Sequence, residues 1–293
     1  MPKQKAKSEG GQRSLLLPTV DTIFKKLFGD ERNKDILADF LAAVLGFEIK
    51  PRDIILIDPH LKREEPDDKL GILDVKLRLK GGKVVNIEVQ VDNFKGIRHR
   101  QEYYISKMSA EQLGVKEEHQ NLLPVVSILI INDYLLTETE RYHCKFSMLE
   151  ETEHFKLHDL RTIHTLELPK LPMDSHGKLE NWLKFLKSKT REEFMSVAVK
   201  SRPMTRALEE LEVMSADEAT RMIYDYRLKM ARDERARLKD ATEKGMEQGL
   251  TQGLVQGRKE GLLQAVKAMK NEKMDIETIA RITGFTVDEV LRL

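Results

Sequence analysis

Two acidic residues, Asp74 and Glu88, lie in short segments that alternate apolar and polar residues and are joined through two glycines. In GILDVKLRLK, residues 71–80, Leu73, Val75, Leu77 and Leu79 are apolar, whereas Asp74, Lys76, Arg78 and Lys80 are polar. In KVVNIEVQVD, residues 83–92, the apolar set is Ile87, Val89 and Val91 and the polar set is Asn86, Glu88, Gln90 and Asp92. Side chains alternate across a pleated strand, so each segment offers a core face and a face turned away from the core. For both polar sets to share one face, paired residue numbers must sum to an even value, and the loop must then hold an odd number of residues. The spacing predicts a three-residue loop around Gly81 and Gly82, with a glycine in the left-handed region, and sets Asp74 opposite Glu88 or Gln90.

Opposed carboxylates on adjacent strands repel and cost stability unless something positive lies between them. A divalent cation answers that need. A small number of hard oxygen ligands, with water and phosphate filling the remaining positions, describes a Mg²⁺ site of the kind used in phosphodiester hydrolysis. The other solution is an ordinary polar outer face on which Lys76 and Arg78 neutralise the acids.

The elements that would position this hairpin follow from periodicity. Apolar residues at helical spacing from Thr19 through Phe28 predict a short helix stopped by Gly29, and a second helix runs from about Glu31 to Leu45, closed by Gly46. DIILID, 53–58, precedes the hairpin as a third strand, residues 95–113 read as a helix, and PVVSILIIN, 124–132, reads as a strand covered on both faces. YHCKFSML from 142 and TIHTLEL from 162 are further strand candidates that extend or flank the sheet, and after about 175 the pattern is helical.

Length and composition allow one substantial α/β core and an appendage. The expected division is a basic tail (1–14), a core domain (15–200), a helical arm (201–270) and a small cap (271–293). The sequence contains no apolar run of membrane-spanning length and no secretory signal, and its single cysteine, Cys144, suits a reducing compartment, so the expectation is a cytoplasmic protein with no membrane partner. A net charge of +1, from 50 basic and 49 acidic residues, gives no global case for a polyanionic partner, so any nucleic-acid surface is local. His154 and His158 have the four-residue spacing that zinc sites can use, but no cysteine or acidic motif accompanies them.

VDTIFKKLFGD, ILDVK, NIEVQ, FKGIRHRQEYY, ELPKLP and the glycine-repeat tail, in this order, resemble the recombination-promoting nuclease or putative transposase family of the PD-(D/E)XK nuclease superfamily. The resemblance implies an α/β, restriction-endonuclease-like αβββαβ core with a mixed sheet, followed by an α-helical C-terminal arm. It implies a DNA endonuclease dependent on Mg²⁺ or Mn²⁺ that works in recombination or transposition, with a catalytically weak or inactive DNA-binding and assembly protein on the same fold as the alternative. Asp74 would be the first metal ligand, Glu88 the second and the backbone carbonyl of Val89 a third. Gln90 falls on the motif's last position, where most of the superfamily carries lysine; an amide can orient the attacking water but cannot accept its proton or stabilise charge as an ammonium does. Lys76, two residues from Asp74, is the candidate to compensate, and a salt bridge to Glu88 is its other reading. Asp21 matches an acidic position on the first helix, where it would hold a metal-bound water or second ion, unless it serves as a helix-start carboxylate. Lys69 matches a position that contacts phosphate. Arg100 and Tyr104, four apart and on one helix face, match the family's arginine–tyrosine helix, for phosphate contact and for stacking or packing.

Beyond the core, Gly245, Gly249, Gly253, Gly257 and Gly261 recur every fourth residue. Each glycine inside a helix costs about 1 kcal/mol relative to alanine, so this arm predicts a compensating helix–helix contact between subunits, with a flexible linker as the alternative. MDIETIARITGFTVDEVLRL reads as helix, turn at Gly284 and helix, with Thr286 and Glu289 in capping-box spacing.

Overall fold

In the computed structural model, which describes residues 14–61, 72–114 and 116–293, the N-terminal apolar spacing produces α1 (Asp21–Phe28) and α2 (Lys34–Leu45). Gly46, at φ +79°, closes α2 with a left-handed turn, and the chain then enters β1 (Ile54–Ile57). The hairpin follows as β2 (Val75–Leu79) and β3 (Val84–Gln90), then α3 (Ile97–Ala110) and β4 (Val125–Ile131). The run from α2 to β4 is the αβββαβ order. The later candidates, β5 (His143–Ser147) and β6 (Arg161–Glu167), extend the sheet rather than flank it.

The six strands are ordered β1-β2-β3-β4-β6-β5. β1, β2 and β3 pair antiparallel, β3–β4 and β4–β6 are parallel, and β5 is antiparallel to β6. All seven residues of β4 are buried, as a strand flanked by two parallel neighbours and covered on both faces requires.

One face of the sheet packs on α1, α2 and three later helices, α4 (Lys178–Lys187), α5 (Arg191–Ala198) and α6 (Arg202–Ala216). Aromatic rings join the ends of this layer: Trp182 meets Phe28 and Phe40 edge-on, each at 5.9 Å between ring centres, and its indole N–H donates to Asp39 Oδ2 at 2.9 Å. Met204, Ala207, Leu208, Leu211 and Met214 of α6 lie in the same core, so the first compact unit continues past residue 200 to Leu228.

The other face is covered by α3, which buries Ile105 and Met108 against Leu73, Val84 and Val125. The sequence expectation that the hairpin's polar side chains point away from any core is corrected here. Lys76, Asn86 and Glu88 are 8%, 0% and 4% exposed, because α3 closes over the face they occupy.

α7 (Glu218–Asn271) begins in the first unit and continues into the second, which spans Lys229–Leu293. Within the second unit, α8 (Ile276–Thr283) and α9 (Val287–Arg292) bury Ile279 and Val290 against Val266 of α7. Thr286 and Glu289 form the capping box their spacing suggests, and Gly284 turns the chain at φ +79°.

Candidate active site

The turn between β2 and β3 satisfies the parity condition. Val75 pairs with Ile87 and Leu77 with Val85, and the Leu79 N–H donates to the Lys83 carbonyl at 2.8 Å, which leaves a three-residue loop of Lys80, Gly81 and Gly82. Both glycines have positive φ, +95° and +92°, the conformation that residues with a Cβ rarely adopt. This register carries Asp74 to the position opposite Glu88.

Asp74 itself stands just before the regular strand. Leu73 packs under α3 whereas Val75 packs on the α1 side, so the alternation expected through this segment breaks at Asp74. Side-chain bonds take over from the ladder there: the Asp74 N–H donates to Glu88 Oε1 at 3.2 Å, and the Val89 N–H donates to Asp74 Oδ2 at 2.9 Å. The break turns Asp74 toward α1, where Lys25 Nζ lies 3.1 Å from Oδ1. Glu88 keeps its place on the α3 side, where an Arg100 nitrogen is 4.0 Å from Oε2.

Burial and nearby negative charge act together on this pair. Burial raises the Asp74 carboxyl above the usual range, the charge of Asp21 raises it further, and the Val89 N–H and Lys25 oppose the rise. Glu88 is pushed up to about 8, by burial first and then by the Asp74 charge, with Arg100 opposing. Two buried acidic side chains, with the charge of Asp74 disfavouring ionisation of Glu88, form an oxygen donor set that a divalent cation would relieve. Among the described residues no group of three or more His, Cys, Asp or Glu side chains could hold an ion, so an ion bound here would retain water ligands, as Mg²⁺ commonly does.

Arg100 contacts two aromatic rings. Its guanidinium carbon lies 4.8 Å from the centre of the Phe94 ring and 5.7 Å from that of Tyr104, which is cation–π contact with both. Asp21, the first residue of α1, is 3.9 Å from Arg227 at the start of α7. Gln90 ends β3 half-buried, two residues beyond Glu88, and its carbonyl accepts from the Asn132 N–H at 2.9 Å.

Residues 18–241 match the family model for PD-(D/E)XK nuclease family transposases. The chain belongs to this family. Neither a curated protein nor a solved structure matches it. Like the family's nuclease description, the mixed sheet with helices on both faces agrees with the PD-(D/E)XK type of fold.

The structure of this PD-(D/E)XK chain brings Asp74, Glu88, the Val89 backbone, Arg100 and Tyr104 together, and the charge of Asp21 acts on Asp74. Lys69 lies outside the described residues. Lys76, the candidate to compensate for Gln90 or else to pair with Glu88, directs its ammonium instead to Glu111 at the end of α3, at 2.9 Å, with both side chains largely buried. The reason is again α3, which places a carboxylate over the strand face where solvent was expected. His154 and His158 sit in a loop with contacts of their own: the His154 ring meets the Thr152 carbonyl, and His158 Nδ1 accepts from the Leu160 N–H.

Two residues escaped the sequence reading of this PD-(D/E)XK protein. Lys25 carried a usable signal, since it follows Asp21 by four residues and so shares its helix face. Phe94 carried none, because it precedes α3 and no helical spacing ties it to Arg100. Among the described residues, no helix is long and apolar enough to cross a membrane.

Proposed function

We propose that this protein is a DNA endonuclease that hydrolyses phosphodiester bonds with Mg²⁺ or Mn²⁺ held by the carboxylates of Asp74 and Glu88 and the carbonyl of Val89, in recombination or transposition. The observation that carries the reading is the buried contact between Asp74 and Glu88, in which burial raises both carboxyls and the charge of Asp74 raises Glu88 further. A divalent cation supplies there the positive charge that polarises a phosphate oxygen and lowers the pKa of a bound water. Arg100, in contact with the Phe94 and Tyr104 rings, would donate paired N–H groups to a phosphate. Gln90 orients the attacking water through its amide. Asp21 adds negative charge beside Asp74 and so favours retention of cations.

The test is incubation of supercoiled plasmid with the full chain and Mg²⁺ or Mn²⁺, beside Asp74→Ala and Glu88→Ala variants. Nicked or linear product from the parent and none from the variants supports the assignment. Equal activity in all three preparations overturns it. Gln90, a neutral residue where an ammonium would serve better, favours a second reading in which the chain binds and assembles on DNA without cutting it. A gel shift by parent and variants alike, with no cleavage, is the signature of that reading.

The arm contributes assembly. Met246, Leu250 and Leu254 each follow a glycine of the repeat, and all three are about two-thirds exposed or more. Nothing lies within 4 Å of where a Cβ would sit on Gly245, Gly249, Gly253, Gly257 or Gly261. A second copy's helix packed along this ridge would cover apolar side chains and use the close approach that glycine permits. Sedimentation of the full chain against one ended before residue 240 tests this contact. The charged faces of α7 suit water, and we place the protein in the cytoplasm.

A further inference from the structure

One cation at the Asp74–Glu88 pair comes from an element that the strand motif does not contain. Lys25, in the last turn of α1, places Nζ 3.1 Å from Asp74 Oδ1, and its side chain is 36% exposed where that of Asp74 is 8% exposed. The charge therefore sits on a flexible stem at the boundary between the buried carboxylate and solvent. The other cations nearby have different partners. Lys76 is bound to Glu111, and Arg100 reaches Glu88 rather than Asp74. Position 90, at the end of β3 two residues beyond Glu88, carries an uncharged amide.

We propose that Lys25 supplies the positive charge that Gln90 lacks: it holds Asp74 in competition with a divalent cation, and its ammonium meets the substrate phosphate beside that carboxylate. The inference rests on the nuclease reading above. Its physical basis is twofold. An ammonium 3.1 Å from Oδ1 occupies one face of the carboxylate, so an ion that binds there must displace or share it. An ammonium on four rotatable carbons can then exchange a carboxylate partner for a phosphate one without movement of α1, and a cation aimed at developing phosphate charge lowers the barrier to cleavage.

The two roles shift two measurements in opposite directions. In Lys25→Met, Mn²⁺ binding measured by calorimetry should tighten roughly fivefold, as expected for loss of a partly exposed competing charge. Plasmid cleavage by the same variant should fall about a hundredfold. Placing lysine on the strand, in the double variant Lys25→Met with Gln90→Lys, should restore a large part of the cleavage, and Lys25→Arg should lie between parent and Lys25→Met. Circular dichroism of each variant guards against misfolding. A residue that merely braced α1 would lower both binding and cleavage, and would not be rescued from position 90. Parental cleavage by Lys25→Met, Mn²⁺ binding no tighter than the parent's, or failure of the strand lysine to restore activity overturns the inference while the nuclease reading stands. Absence of cleavage by the parent overturns both.

Discussion

The backbone N–H of Asp74 donates to the Glu88 carboxylate at 3.2 Å, so each acid of the pair is held by the segment that carries the other. With Glu88 pushed up to about 8, its folded-state pKa lies above the unfolded value near 4.5. Between those pH values the folded chain keeps a proton that the unfolded chain has lost, so cation-free stability falls as pH rises through this window. Glu88→Gln removes that dependence. The expected result is a cation-free Tm at pH 8 equal to or above the parent's, together with loss of the rise in Tm that Mg²⁺ or Mn²⁺ gives the parent. Thermal melts at pH 5 and pH 8, with and without cation, check both parts.

Arg100 is expected to touch phosphate through a guanidinium that contacts the Phe94 and Tyr104 rings. Arg100→Ala should weaken DNA binding in Ca²⁺ and reduce the slope of log affinity against log salt by about 1. Arg100→Lys keeps the charge but loses the planar contacts, so it should retain the slope and bind with intermediate affinity. Fluorescence anisotropy across a salt series would show whether the slope changes; an unaltered slope in Arg100→Ala would remove this residue from the phosphate contacts.

The loop of the hairpin separates two costs of adding a side chain. At Gly81 a Cβ would meet nothing within 4 Å, and the penalty of Gly81→Ala is the positive φ, about 1 kcal/mol. At Gly82 the φ is similar, and a Cβ would lie 2.5 Å from Leu123 Cδ1. Gly82→Ala should therefore be the more destabilising of the two, and Leu123→Ala should relieve part of the difference. Urea denaturation of the three variants and the double variant measures it.

Glu167 and Lys170 form a fully buried ion pair at 3.0 Å. Glu167 also accepts from the Leu135 N–H at 2.7 Å, and Lys170 donates to the Thr139 carbonyl at 2.7 Å, so the pair ties the end of β6 to the segment after β4. Lys170→Met leaves a buried carboxylate without its cation and should cost about 3–5 kcal/mol. Adding Glu167→Gln should recover part of that loss, because the uncompensated charge is gone. Denaturation midpoints that fall further in the double variant would contradict this account.

His164 in β6 is 3% exposed and contacts His143 of β5 through ring nitrogens 2.8 Å apart. Burial, followed by the charges of His143, Lys145 and Lys83, lowers its pKa to about 4. The unfolded imidazole titrates near 6.5, so between these values the unfolded chain binds the extra proton and stability is lost as pH falls. The loss attributable to this group at pH 4 is on the order of 3 kcal/mol. His164→Gln should flatten the stability curve between pH 6.5 and pH 4 relative to the parent; parallel curves would show that other groups govern acid unfolding.

The sequence by itself determined the αβββαβ order, the three-residue turn and the choice of Glu88 or Gln90 as the residue opposite Asp74, because alternation and turn chemistry are local and their parity is arithmetic; the register that selects Glu88 came from the structure. The sequence also held the four-residue spacing that ties Lys25 to Asp21. Tertiary structure decided the environment of those residues. The break in alternation at Asp74 arises from hydrogen bonds to Glu88 and Val89 across the hairpin, which no one-strand pattern encodes. Cover by α3 turned an expected outer face into a buried one and gave Lys76 to Glu111, a residue 35 positions away. Contacts at such separations depend on which helix lies over which face, and amphipathic spacing records only that a face is covered, not by what. The placement of Lys25 beside Asp74 and of Phe94 on Arg100 belongs to the same class: each needs two elements brought together by the packing of the core.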